Sequence, residues 1–233
     1  MLFEELQVDI ADSSEVEFLD RDRTSMPAWL IRLACAAHAG AASLAECRDL
    51  CEWFGVERRR ATIHHWYQAY AEHYDQEFTA EPDRIAVDEK QIQLENGQKA
   101  WLYAAIDVDT KVVLHVRLSW HRGRDPAEEF LHELKEKHRV SDAEFLVDGM
   151  GYLTALARTD LSGELNYTDR NIVEKLFQTY TMRIERFHET WNGSQTSAQR
   201  WLTAYTAYYN HHRSHQALDN QPPVEALKQE GSI

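Results

Sequence analysis

Residues 84–120 read RIAVDEKQIQLENGQKAWLYAAIDVDTKVVLHVRLSW, and their periodicity decides the fold. Three blocks, Arg84–Leu94, Lys99–Ile106 and Lys111–Trp120, alternate or run apolar and are rich in β-branched and aromatic residues, the pattern of strands. The links between them, around Asn96-Gly97 and Asp107-Val108-Asp109-Thr110, carry hairpin chemistry, so the stretch predicts a three-stranded antiparallel meander. Asp88 stands inside the first block, where strand propensity disfavours aspartate. Side chains alternate across a strand, so Asp88 and Glu89 face opposite sides of the sheet and only one of them can enter a site on a given face.

Towards the C-terminus, Asp125-Pro126-Ala127-Glu128 predicts a helix start with Asp125 as cap and proline at the first position, and Phe130, Leu131 and Leu134 supply a buried face. A short strand over Ala143–Val147, a helix through Leu153 and Leu156, a brief strand near Leu165 and a long helix from about Asp169 follow. Three antiparallel strands, helix, strand, helix, strand, helix is the order of an α/β, ribonuclease H-like mixed-sheet core.

Towards the N-terminus the period is helical from Pro27 to about Tyr74. Leu44, Cys47, Leu50, Cys51 and Phe54 form one apolar stripe after a cap at Ser43, and Ile63, Trp66, Tyr67 and Tyr70 form another. Only Phe54-Gly55-Val56-Glu57 separates the two helices, which is helix-turn-helix spacing. The second opens with Arg58, Arg59 and Arg60 and turns Thr62, His64, His65 and Gln68 away from its stripe, a face suited to a DNA major groove. The plainer reading is a packed helical hairpin with a solvated charged side. The expected organisation is an acidic flexible arm over 1–25, a small all-α helix-turn-helix DNA-binding domain over 26–78, the catalytic domain over 79–220 and a tail over 221–233.

Composition bounds the rest. A net charge of -14 argues against a phosphate-gripping protein, yet of 25 basic residues only seven are lysine. An acidic, lysine-poor, arginine-retaining surface fits a halophilic cytoplasm, where counterion release drives phosphate binding weakly and a large basic patch gains little. No apolar run reaches the roughly 18 residues a bilayer needs, and Met1-Leu2-Phe3-Glu4-Glu5 resembles no export signal, so a cytoplasmic protein with no membrane partner is expected. Three cysteines, Cys35, Cys47 and Cys51, at no usual zinc spacing, read as reduced, buried thiols.

Asp148 ends the apolar run Phe145-Leu146-Val147, at the carboxyl end of a strand where sites on such sheets gather, although a turn or capping aspartate is the plainer reading there. The long last helix offers Glu174 and Glu185, about 16 Å apart along its axis, so only one can join a cluster. Glu174 lies in the first turns, nearer the strand ends, and is the expected partner. Three converging carboxylates repel unless divalent cations hold them, and their hard oxygens suit two Mg²⁺ or Mn²⁺ ions in a phosphoryl-transfer site.

With these residues in place the chain resembles the DDE transposases of short insertion sequences, in particular a compact haloarchaeal-type branch with a helix-turn-helix before an integrase-like core. The resemblance runs from about Pro27 to Leu227 and is carried by Val87-Asp88-Glu89, Trp101–Asp107, Leu146-Val147-Asp148-Gly149, Arg170-Asn171-Ile172-Val173-Glu174, and Tyr209–Leu218 with Pro223 after it. It implies a DNA transposase with Asp88, Asp148 and Glu174 as catalytic metal ligands, two Mg²⁺ or Mn²⁺ ions as cofactors, and double-stranded DNA, both element ends and target, as partner. It also implies a homodimer or higher oligomer on DNA. Its glutamate follows an Arg-Asn pair, which matches Arg170-Asn171 and Glu174. The basic residue usual seven positions later is Thr181 here, with Arg183 as a nearby substitute contact; Arg170 is a further DNA-facing candidate. The alternatives are a structure-specific nuclease on the same core and a non-catalytic DNA-binding regulator derived from a transposase, the latter favoured by Thr181. His211 and His215, four apart on an expected helix, read as surface or DNA-facing histidines.

Overall fold

Pro27 stands just outside the first helix, extended and lending its carbonyl to the first turn. The computed structural model describes residues 19, 26–40, 42–74, 78–94, 97–166, 171–185 and 194–231, so the acidic stretch over 1–25 lies almost wholly outside the described residues. The chain divides into two units, 1–76 and 77–233.

In the first unit α1 (Ala28–Ala39), α2 (Leu44–Trp53) and α3 (Arg60–Tyr74) pack on one another. Ser43 starts α2 with a capping box: its hydroxyl accepts from the Glu46 amide at 3.1 Å, and the Glu46 carboxylate accepts from the Ser43 amide at 2.6 Å. Cys47, Cys51, Ile63, Trp66 and Tyr67 are buried as the stripes predict. Phe54 is not: it follows the last helical residue and is 49% exposed, with its ring edge-on to Trp29 at 5.1 Å. Gly55, at φ 79, makes the turn that leaves α2. Burial pushes the Cys47 thiol up to about 12, with Cys51 and Glu46 adding to it, so it stays protonated, donates to the Ala34 carbonyl, and is inert as a nucleophile or metal ligand.

The second unit holds β1 (Arg84–Gln93), β2 (Lys99–Asp107), β3 (Val113–Ser119), α4 (Arg124–Lys137), β4 (Glu144–Val147), α5 (Met150–Arg158), β5 (Ser162–Leu165), α6 (Asn171–Glu185), α7 (Gln195–His211) and α8 (Pro223–Glu230). The five strands lie in the order β3-β2-β1-β4-β5. β1, β2 and β3 are antiparallel neighbours, while β4 runs parallel to β1 and β5 parallel to β4. Ile85, Val87, Tyr103, Ala105, Phe145 and Val147 pack on one face against Phe130, Leu131 and Leu134 of α4 and Ala155 and Leu156 of α5. Helix α6 packs against β1 and β2, and alternation gives it the opposite face, that of Ala86 and Asp88.

Two features hold the sheet's geometry. Gly163 on β5 pairs with Phe145, and a Cβ there would come within 2.4 Å of the Phe145 carbonyl oxygen, so the close approach of β4 and β5 requires glycine. The outer edge of β3, which would otherwise present unpaired backbone groups, is covered by side-chain amides of α7. Asn210 accepts from the Val113 amide and donates to the Val113 carbonyl, both at 2.9 Å. Gln199 accepts from the Leu118 amide and donates to the Val116 carbonyl, and Gln195 donates to the Leu118 carbonyl.

Three local expectations are corrected. Helix α4 begins at Arg124, one residue before Asp125, with Gly123 as its cap and no side-chain cap bond. Gly123 holds φ 137 and its amide donates to the Tyr103 hydroxyl, 20 residues away, which sets the start instead of the Asp-Pro signature. Helix α3 begins at Arg60, so Arg58 and Arg59 belong to the preceding link. His211 and His215 do not share a helix: α7 ends at His211, and His215 forms an isolated bridge with Gln221.

Candidate functional site

The parallel pairing of β1 with β4 aligns Ile85 with Phe145 and Ala86 with Leu146. Continuing that register two residues brings Asp88 level with Asp148, just past the end of β4, on neighbouring strands about 5 Å apart. Asp88 is 5% exposed, and one of its carboxylate oxygens accepts from the Glu89 amide at 2.8 Å. A carboxylate this buried is costly unless something compensates its charge. Asp148 is half-buried.

Helix α6 supplies the other wall. Asp88, Glu89, Lys90, Asn171, Glu174, Lys175, Phe177 and Gln178 line a cleft of about 420 Å³ between β1 and α6. Glu174 is exposed to it from the first turn of the helix. Phe177, Val173 and Tyr180 are buried on the same helix and fix its rotation, so Glu174 and Gln178, one turn apart, fall on the cleft side. Glu185 ends α6 about 16 Å further along the axis. Arg170 and the side chain of Glu185 lie outside the described residues.

The structure thus brings Asp88 and Glu174 to one cleft and Asp148 to the strand end beside Asp88. Among the described residues no three histidine, cysteine or acidic side chains stand close enough to enclose an ion as they are placed. By chemistry the carboxylates fit a hard divalent cation, which takes oxygen ligands. Lys90 and Lys175 line the same cleft.

On the opposite face of β1 the structure shows a network that no sequence pattern indicated. The Glu89 carboxylate is only 6% exposed and accepts from Arg122 Nε at 2.5 Å. The Arg122 guanidinium lies 4.9 Å over the Trp101 ring. Arg122 is held above its ordinary value first by the hydrogen bond to Glu89 and by that carboxylate's charge, with Asp148 adding to it. Burial, and then the charge of Glu89, push the Tyr152 hydroxyl far above the usual tyrosine range. Tyr103 donates to the His121 carbonyl and accepts from the Gly123 amide, pinning the segment that carries Arg122. Glu89 and Arg122 are 33 residues apart, a separation that local periodicity cannot register.

The remaining residues read from sequence are distributed as follows. On the first unit Arg59, Arg60, His64 and His65 are exposed; Arg58 and Gln68 are half-buried, with Gln68 hydrogen-bonded to His64 at 2.9 Å. Thr181 donates its hydroxyl to the Phe177 carbonyl within its own helix. Arg183 is half-buried with its guanidinium 5.9 Å from the centre of the Tyr205 ring on α7. Asp107, 2% exposed, accepts from the Asp109 amide and the Thr110 hydroxyl and so shapes the turn after β2.

No protein-family profile matches the sequence, and no curated protein is detectably related to it. Solved structures do match in shape. A simian T-cell lymphotropic virus intasome in complex with the PP2A regulatory subunit B56 gamma matches over 85% of this chain and 72% of the other, with a TM-score of 0.51 at 9% identity. The fold is that of the integrase cores. The catalytic core of BIV integrase matches over 65% of this chain and 97% of its own, with a TM-score of 0.49 at 10% identity. The HTLV-2 integrase core, solved in complex with magnesium, covers 64% of this chain and 99% of its own, with a TM-score of 0.44 at 8% identity. No helix among the described residues is long and apolar enough to cross a membrane.

Proposed function

We propose that the chain is a DNA transposase that cuts strands at the ends of an insertion sequence and joins them to target DNA, with Asp88, Asp148 and Glu174 as its metal-holding residues. The observation that carries this reading is the convergence of Asp88 and Glu174, distant in sequence, on one cleft, with Asp148 placed beside Asp88 by strand register. Magnesium or manganese bound there would help ionise the attacking water or 3′-hydroxyl and take up charge on the leaving oxygen. The protein's own part is to fix the carboxylates on a rigid sheet and helix, so that little reorganisation accompanies reaction. Lys90 and Lys175 would hold the phosphodiester against the acids. The helical unit, through Arg59, Arg60, His64 and His65, would supply contacts to the duplex. Two element ends must be brought together, so the active species is a dimer or larger assembly on DNA.

Thr181 favours a second reading, a DNA-binding regulator that has lost its chemistry, because its hydroxyl is turned back onto its own helix. Incubating the protein with labelled duplexes of the ends that flank its coding sequence, with Mg²⁺, separates the cases. Joined products support the transposase. Hydrolysis without joining indicates a nuclease, and retention of uncut DNA indicates the regulator.

A further inference from the structure

The segment between β3 and α4, Trp120-His121-Arg122-Gly123-Arg124, is exposed throughout and has no place in the site as described above. Arg122 is unusual within it. Its Nε is committed to a buried carboxylate, its plane is stacked on Trp101, and yet its side chain is 57% exposed. An exposed arginine ordinarily samples many rotamers; this one has already lost that freedom. Among the described residues its two terminal amino groups have no hydrogen-bond partner, so a rigid fork of N–H donors faces solvent. Glu89, which anchors it, follows Asp88 on β1 with its carboxylate on the other face of the sheet, and the charge of Asp148 at the strand end reaches Arg122. The fork therefore stands across the sheet from the carboxylate cleft, on the strand that carries Asp88.

Two further features point to an anion. The N-terminus of α4 begins at Arg124 with no side-chain cap, leaving first-turn amides for an outside acceptor. Gly123 and Arg124 are themselves exposed, and a Cβ at Gly123 would meet nothing within 4 Å. Asp125, the acid of that first turn, lies 4.0 Å from Arg158, which offsets its charge.

We infer that Arg122, braced by Glu89 and Trp101 and joined by Arg124 and the first amides of α4, binds a backbone phosphate of the DNA. The inference rests on the DNA-processing reading above. Bidentate arginine recognition of a phosphate oxygen pair fits the planar fork, and bracing from behind lowers the ordering cost of binding.

The test is fluorescence-anisotropy titration of the full chain against labelled duplexes of the flanking ends, with Ca²⁺ in place of Mg²⁺, over a salt series. Removing Arg122 alone would strand buried Glu89, so the charge-removing variant is the double change Arg122→Gln with Glu89→Gln, its fold checked by thermal melting. One lost phosphate contact should lower the slope of log affinity against log salt by about 0.9. It should also weaken binding about tenfold at low salt. Arg122→Lys, which keeps the ion pair with Glu89, should retain the slope but bind about threefold more weakly, because the fork is gone. If the double variant and Arg122→Lys both match wild type while Arg60→Gln lowers the slope, DNA binding stands and Arg122 plays no part in it. If wild type itself shows no salt-dependent affinity for DNA, the functional reading fails first and this inference falls with it.

Discussion

Replacing Asn210 with alanine should destabilise the second unit by about 3 kcal/mol, because two buried backbone groups would lose their partners at once. Asn210 is 3% exposed and Val113 is 1% exposed, so water has little access to either. The side chain satisfies both the N–H and the C=O of Val113 at 2.9 Å. Each orphaned group costs roughly 1–3 kcal/mol, so two cost about 2–6, and partial relaxation of the edge strand keeps the sum in the lower half of that range. Asn210→Asp sharpens the test. Its carboxylate would still accept from the Val113 amide, but its second oxygen would meet the Val113 carbonyl and could bond only when protonated. The folded state would then raise the pKa of that new acid. Stability would be retained at acid pH and lost as pH rises through the raised value, opposite to the usual behaviour of an aspartate. Urea unfolding of both variants across pH, followed by far-ultraviolet circular dichroism, measures the effect. A loss under about 0.5 kcal/mol for the alanine variant, or an aspartate variant insensitive to pH, would refute the view that α7 seals the edge of the sheet.

Gly163→Ala should cost about 1–3 kcal/mol, read as a lowered urea midpoint, since the added methyl meets the Phe145 carbonyl at 2.4 Å and something must shift. Ser43→Ala removes one half of the capping box and should destabilise the first unit by about 1 kcal/mol, visible as a lower helical melting temperature. Burial, with Arg213 and Lys111 adding to it, pushes the His215 imidazole down to about 4. The unfolded chain therefore takes up a proton below about 6.5 that the native state refuses, so stability is full above that pH and declines towards pH 4 by roughly 2 kcal/mol, the full linkage of about 3 being reduced by the solvent that reaches the half-buried ring. His215→Gln should flatten that decline in a pH series of unfolding curves.

Much of the fold was legible because the strands are driven by local chemistry. Alternation and β-branched content over 84–120 carry the meander, and the period-two rule alone separates Asp88 from Glu89. The preference for Glu174 over Glu185 also rests on a local quantity, the rise of a helix. What was not legible is held by distant partners. The Arg122–Glu89 pair, the Asn210 clamp on Val113 and the hydroxyl of Tyr103 at Gly123 each join residues far apart in sequence. The start of α4 departs from its local signature for that reason, since the Tyr103 bond fixes Gly123 and overrides a local Asp-Pro cap. The spacing of His215 from His211 permits a shared helix, yet Asp219 and Asn220 both adopt left-handed conformations and fold the chain back so that His215 bridges Gln221.

The proposed sharing of divalent ions by Asp88, Asp148 and Glu174 is tested most directly by titrating Mn²⁺ into the DNA-bound protein and following it by electron paramagnetic resonance. The account predicts that wild type takes up the ion and that Asp88→Ala, Asp148→Ala and Glu174→Ala each weaken uptake at least about tenfold. Glu185→Ala should leave it unchanged. Uptake that survives all three substitutions, or that fails in Glu185→Ala but not in Glu174→Ala, would contradict it.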